Sequence, residues 1–151
     1  MMITGRRLGR GRTEAGFTMI EMLIVAVLIG VLAAIALPSY RKQAMKSNRA
    51  AAKAALTQLV AREEAFFSDR KVYATGLAAL GYSADTMYVG SDGSISSTST
   101  GALYSVALAS GATTTAFTVQ AVPQGAQADD TCGTMSISSL GAKSPTTSGC
   151  W

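Results

Sequence analysis

Residues 16–40 read GFTMIEMLIVAVLIGVLAAIALPSY, and the reading of the chain turns on this stretch. Between Phe17 and Leu37 the only polar side chains are Thr18 and Glu21. A helix over 17–38, at about 1.5 Å per residue, spans roughly 33 Å, enough to cross the hydrocarbon core of a bilayer. The segment before it is short, holds Arg6, Arg7, Arg10 and Arg12, and has no apolar run of its own. Positive charge there predicts a cytoplasmic N-terminus, so that everything after the span faces outward. An ordinary secretory signal carries its small-residue cleavage site after the apolar run. Residues 33–37 (AAIAL) match such a site only weakly. A plain uncut anchor is the simplest alternative, but it leaves Glu21 without a purpose.

A carboxylate inside a span costs about 2.5–3.5 kcal/mol near the bilayer centre, and less toward an end. Glu21 falls in the first turn of a helix beginning at Phe17, where the dipole favours an anion by about 0.3–1 kcal/mol. That does not offset burial, whereas a positive partner would. Cleavage before Phe17 creates a new amino group four residues from Glu21. That amine can neutralise a carboxylate in its own chain or a neighbouring one.

Gly16-Phe17-Thr18-Met19-Ile20-Glu21, followed by MLIVAVLIGVLAAIALPSY, resembles the type IV pilin signature along its whole length. The resemblance implies cutting after Gly16 by a prepilin peptidase and N-methylation of the new terminal Phe17. It implies that Glu21 pairs with the Phe17 amine of a neighbouring subunit during assembly. Gly30, Pro38 and Tyr40 fall where the family places a glycine, a proline and an aromatic. Pro38 removes an intrahelical hydrogen bond and Gly30 lowers helix propensity, so kinking or local flexibility is expected at both. Neighbouring helices can equally satisfy the freed backbone.

The thirteen basic and nine acidic residues give a formal charge of +4. Removing Arg6, Arg7, Arg10, Arg12 and Glu14 leaves nine basic and eight acidic residues. The basic balance therefore belongs to a targeting segment and not to a nucleic-acid surface. A second basic cluster, Arg41, Lys42, Lys46, Arg49 and Lys53, reads as a solvated helix face. The chain has no histidine, which removes the commonest general base and the commonest zinc ligand. No nucleophile–base pair, phosphate loop or metal spacing is present, so no catalytic residue, cofactor or metal is expected. Cys132 and Cys150, if exported, read as a disulfide.

Beyond Pro38 the apolar pattern becomes periodic. Met45, Ala52, Leu56, Leu59, Val60, Phe66 and Phe67 make one helical stripe, with Lys46, Arg49, Lys53, Arg62 and Glu63 mostly off it. One helix over about 17–67 is predicted. Residues 102–109 (ALYSVALA), 116–122 (AFTVQAV) and 134–140 (TMSISSL) read as antiparallel strands. Residues 68–101 read as a loop, with a short strand near 94–97 after the Asp92-Gly93 turn. The fold class expected is α+β, a helix on three or four antiparallel strands. The domain plan is a leader over 1–16, a span over 17–38 and a globular part over 39–151. The globular part holds the amphipathic helix to about 67, the sheet within 102–140 and a C-terminal loop over 132–150.

This order again resembles type IV pilins, which pair a long helix and an antiparallel sheet with a disulfide-closed C-terminal loop. AVPQGAQADDTCG (121–133) and the terminal Cys150-Trp151 resemble the PilE-type pilins in particular. That resemblance implies a minor pilus subunit serving assembly, and so twitching motility, adhesion or DNA uptake. The partners implied are other pilin subunits, the prepilin peptidase/methyltransferase, the inner-membrane assembly machinery and the membrane itself. The implied location is the inner membrane before assembly and an extracellular pilus after it. A major pilin, a type II secretion pseudopilin, and a pilus-tip module binding DNA or a receptor are the alternatives. Nucleic acid is left open, because the charge after Phe17 is nearly neutral. Trp151 and most tyrosines are expected as packing residues, and Asp129-Asp130 as a solvated pair.

Overall fold

The computed structural model describes residues 16–151. Apart from Gly16, the leader expected over 1–16 lies outside the described residues. The chain divides into two compact units, one ending at Ser39 and the other Tyr40–Trp151. A single helix, α1 (Met19–Arg70), begins in the first unit and ends in the second.

In the first unit the helix starts two residues later than Phe17, because Thr18 caps it. The Glu21 N–H donates to Thr18 Oγ1 at 3.3 Å, and the Met22 N–H donates to the Thr18 carbonyl at 3.2 Å. Thr18-Met19-Ile20-Glu21 has the spacing of a capping box, so a local sequence signal sets the first turn. From Phe17 to Leu37 the large apolar side chains are exposed, for example Ile20, Leu23, Ile29 and Leu32. By length and composition this helix can cross a membrane. Gly30 and Pro38 both lie inside α1.

In the second unit α1 buries one face, made of Ala51, Ala52, Ala55, Leu56, Leu59 and Glu63. The alanines let the helix lie close to its neighbours. Gly93, with φ +78°, would place a Cβ within 3.7 Å of the Ala51 backbone. The helix ends at Lys71, whose φ of 60° is left-handed and breaks the helical repeat.

A six-stranded antiparallel sheet covers that face, in the order β2-β1-β3-β4-β5-β6. The strands are β1 (Thr86–Val89), β2 (Ile95–Ser96), β3 (Tyr104–Leu108), β4 (Thr118–Pro123), β5 (Met135–Ser138) and β6 (Lys143–Ser144). Register aligns Met87 with Val106, Val106 with Ala121, and Ala121 with Met135, so one row of core side chains crosses four strands. Along each strand burial alternates, as a period of two requires. Met87, Val89, Tyr104, Val106, Val119, Ala121, Met135 and Ile137 face the core with Leu56 and Leu59. The α+β class and the two-layer core hold.

Four strands have four to six residues, and two-residue strands flank them at the sheet edges. The segment 68–101 is more structured than the loop expected there. It contains a short 3₁₀ turn (Leu77–Leu80), all of β1, and β2 where a short strand was anticipated. TMYV forms β1 because Met87 and Val89 find a buried row beside β3, which no local pattern advertises.

Cys132 and Cys150 form a disulfide with Cα atoms 5.7 Å apart, and both are buried. In the chain-entropy model, closing a loop of this size contributes about 3 kcal/mol. Aromatic anchors complete the core edge: Tyr73 stacks on Phe67 at 4.6 Å and meets Phe117 edge-on at 4.8 Å.

Candidate functional site

The first candidate site is the N-terminal end of α1. Phe17 and Thr18 precede the helix, Glu21 lies in its first turn, and Phe17 is 77% exposed. Among the described residues nothing lies within 4 Å of where a Cβ at Gly16 or Gly30 would stand, leaving aside each glycine's chain neighbours and its own helix backbone. The apolar surface from Phe17 to Leu37 is likewise exposed in the single subunit. In water such a surface calls for a covering partner or a lipid environment.

The second candidate site is a polar clamp in the Tyr40–Trp151 unit, which sequence reasoning did not foresee. Arg49 Nε donates to Asp130 Oδ2 at 2.8 Å, with the Asp130 side chain 1% exposed. Arg49 Nη1 donates to the Gly149 carbonyl at 2.9 Å. One guanidinium thus holds the chain just before Cys132 and just before Cys150. Asp130 Oδ2 also accepts from Gln127 Nε2 at 2.8 Å, and Oδ1 accepts from the Cys132 N–H at 3.1 Å. Gln127 is buried, its amide donates to Tyr104 Oη at 2.9 Å, and its Oε1 accepts from Asn48 Nδ2 at 2.9 Å. Burial pushes the Tyr104 hydroxyl above its ordinary pKa, against the opposing pull of Gln127.

Two expectations are corrected here. Arg49 does not belong to a solvated face, and Asp130 is not a solvated acid. Each is carried inward because the other neutralises it and the remaining oxygens find N–H donors. Asp129, in contrast, stays exposed beside an open groove of about 710 Å³ that Tyr40, Asn48, Leu103 and Gln124 also line.

Glu63 is a third correction. It follows Leu56 and Leu59 by seven and four residues, which places it on the buried face and not beside it. Its Oε2 accepts from the Ala74 N–H at 2.9 Å, while Oε1 has no partner. Burial raises its pKa above the ordinary value; the Ala74 N–H opposes this, and Glu64 adds to it.

Two family profiles match the chain. One, described as the type IV minor pilin ComP, DNA uptake sequence receptor, matches residues 38–136. The other, the prokaryotic N-terminal methylation motif, matches residues 11–37. The chain belongs to this type IV pilin family. Among curated relatives, the type IV major pilin protein PilA of Myxococcus xanthus is 39% identical over 67 residues, 44% of this chain and 30% of that protein. Fimbrial protein EcpC of Eikenella corrodens is 36% identical over 73 residues, 48% of each protein. The chain therefore spans half or less of these relatives. A type IV pilin structure from Shewanella oneidensis superposes with a TM-score of 0.50 at 24% identity, covering 71% of this chain and 97% of that one. That likeness establishes the pilin fold. These relatives are structural fibre proteins, and the pilin is a structural subunit, not an enzyme.

Proposed function

We propose that this pilin is a minor subunit of a type IV pilus, cut after Gly16, N-methylated on Phe17, and assembled through residues 17–38. The observation that carries the reading is the exposed apolar surface from Phe17 to Leu37 with one carboxylate, Glu21, in its first turn. A neighbouring subunit's Phe17 amine neutralises Glu21, and N-methylation leaves that amine charged. Gly30 lets a neighbouring helix approach closely, since its open side has no occupant among the described residues. Before assembly the span holds the subunit in the inner membrane with residues 39–151 outside the cytoplasm. The prepilin peptidase/methyltransferase, the inner-membrane assembly machinery and other pilins are its partners.

The test is mass spectrometry of fibres sheared from cells carrying the wild-type gene or Glu21→Ala. Wild-type fibres should contain a low proportion of a chain that begins at methylated Phe17. The Glu21→Ala chain should be cut but left in the membrane. Normal incorporation of Glu21→Ala would remove the pairing argument.

A second reading is DNA binding during uptake. It is supported by the family description, whose match covers 38–136.

A further inference from the structure

A pilin that binds DNA needs a surface for it, and the C-terminal loop offers one. The chain has a single tryptophan, Trp151. Lys143 Nζ lies 5.2 Å and Lys53 Nζ 5.9 Å from the centroid of its ring. The ring is fixed rather than free. Its Nε1–H donates to the Ser144 carbonyl at 3.0 Å, its neighbour Cys150 is in the disulfide, and the Gly149 carbonyl is held by Arg49. Two ammonium groups from distant parts of the chain are thereby held against one indole face or edge. Among the described residues neither is within salt-bridge distance of a carboxylate; the one ion pair there is Arg49 with Asp130. A ring quadrupole orients an ammonium without cancelling its charge.

The charge does not stop there. Lys42, Lys46 and Lys53 follow one another by four and seven residues on one face of α1, while Arg49 between them is neutralised by Asp130. Lys42 and Lys46 are exposed, and Lys46 precedes Lys53 by two turns, roughly 10 Å along the axis. A row of uncancelled ammoniums at that spacing suits a linear polyanion better than a single small anion.

We propose that Lys53 and Lys143, held by Trp151, bind backbone phosphates of DNA, with Lys46 extending the row. The proposal rests on the DNA reading above and names its site. Phosphate contacts carry no sequence information, so this surface supplies affinity and register, while any choice of sequence lies elsewhere.

The full-length protein in nonionic detergent, titrated with a labelled 20-base-pair duplex from 50 to 250 mM NaCl, provides the test. Each phosphate contact contributes about 0.9 to the slope of log Kobs against log salt for duplex DNA. Lys53→Gln/Lys143→Gln should therefore flatten the slope by about 1.8, equally for unrelated sequences, and Lys53→Arg/Lys143→Arg should keep it. Lys71→Gln, whose ammonium is engaged by the Ser68 carbonyl at the far end of α1, should leave the slope unchanged. Trp151 emission should change on adding DNA to the wild type and not to the double glutamine variant. Binding with an unchanged slope in that variant overturns this site and leaves the DNA reading standing. No binding by the wild type at 50 mM NaCl overturns both.

Discussion

Replacing Arg49 by methionine tests whether the clamp or the disulfide holds the C-terminal loop. The substitution keeps most of the stem's packing and deletes the charge. Asp130, 1% exposed, is left as a buried carboxylate with two N–H donors, from Gln127 and Cys132. Removing one partner of a buried pair costs about 3–5 kcal/mol. The two surviving donors place this case near about 3 kcal/mol, which is comparable to the disulfide itself. With a urea slope of about 1–3 kcal/mol per M, the unfolding midpoint should fall by about 1–3 M. Emission from Trp151, two residues beyond the gripped Gly149 carbonyl, follows the transition in the full chain in detergent. Arg49→Met/Asp130→Leu should recover most of the loss, because no buried charge remains. A midpoint within about 0.3 M of wild type for Arg49→Met, taking that same slope range, would refute the claim that the pair is held away from water. A double variant as unstable as Arg49→Met would show that Arg49 acts through something other than Asp130.

Glu63 has a folded-state pKa above its unfolded one, so its protonated form favours the fold. That contribution is complete below the ordinary carboxylate range and is lost as pH rises through the raised value. Glu63→Gln should therefore gain thermal midpoint relative to wild type between pH 4 and pH 7.5, and an equal difference at both pH values would contradict this. Leu56→Ala, at a fully buried position between helix and sheet, should cost about 2–5 kcal/mol in urea unfolding. Gly16 replaced by a bulky residue should leave a precursor of uncut mass in the membrane fraction, and mature mass on a gel or spectrometer would count against the cut. Gly30→Leu should leave the isolated subunit's helix content unchanged by circular dichroism while lowering its recovery in sheared fibres.

Local patterns were enough to place much of this fold. The apolar run, the stripe through Leu56 and Leu59, and the alternation in β3, β4 and β5 each arise from neighbouring residues in one element. β1 was hidden because TMYV has only two core residues and sits among Ser, Gly and Asp. β6 was hidden because Lys143-Ser144 has no apolar residue at all. The clamp was out of reach for a different reason: Arg49 and Asp130 are 81 residues apart, and neither carries a local mark of pairing. Thr18 and Glu63, in contrast, carry local signals that a helix started at Phe17 and a stripe drawn without Glu63 pass over. Thr-x-x-Glu announces a cap, and a residue four beyond Leu59 shares its face.

The sheet's borders have a consequence for how this chain can meet another polypeptide at close quarters. Its outermost ribbons, Ile95–Ser96 and Lys143–Ser144, offer only two residues each, and Pro145 follows the second. So short a run of free N–H and C=O groups is a poor template for a stranger's backbone, and lysine and proline discourage it further. β-type clumping is thus discouraged by how little rim there is to grasp.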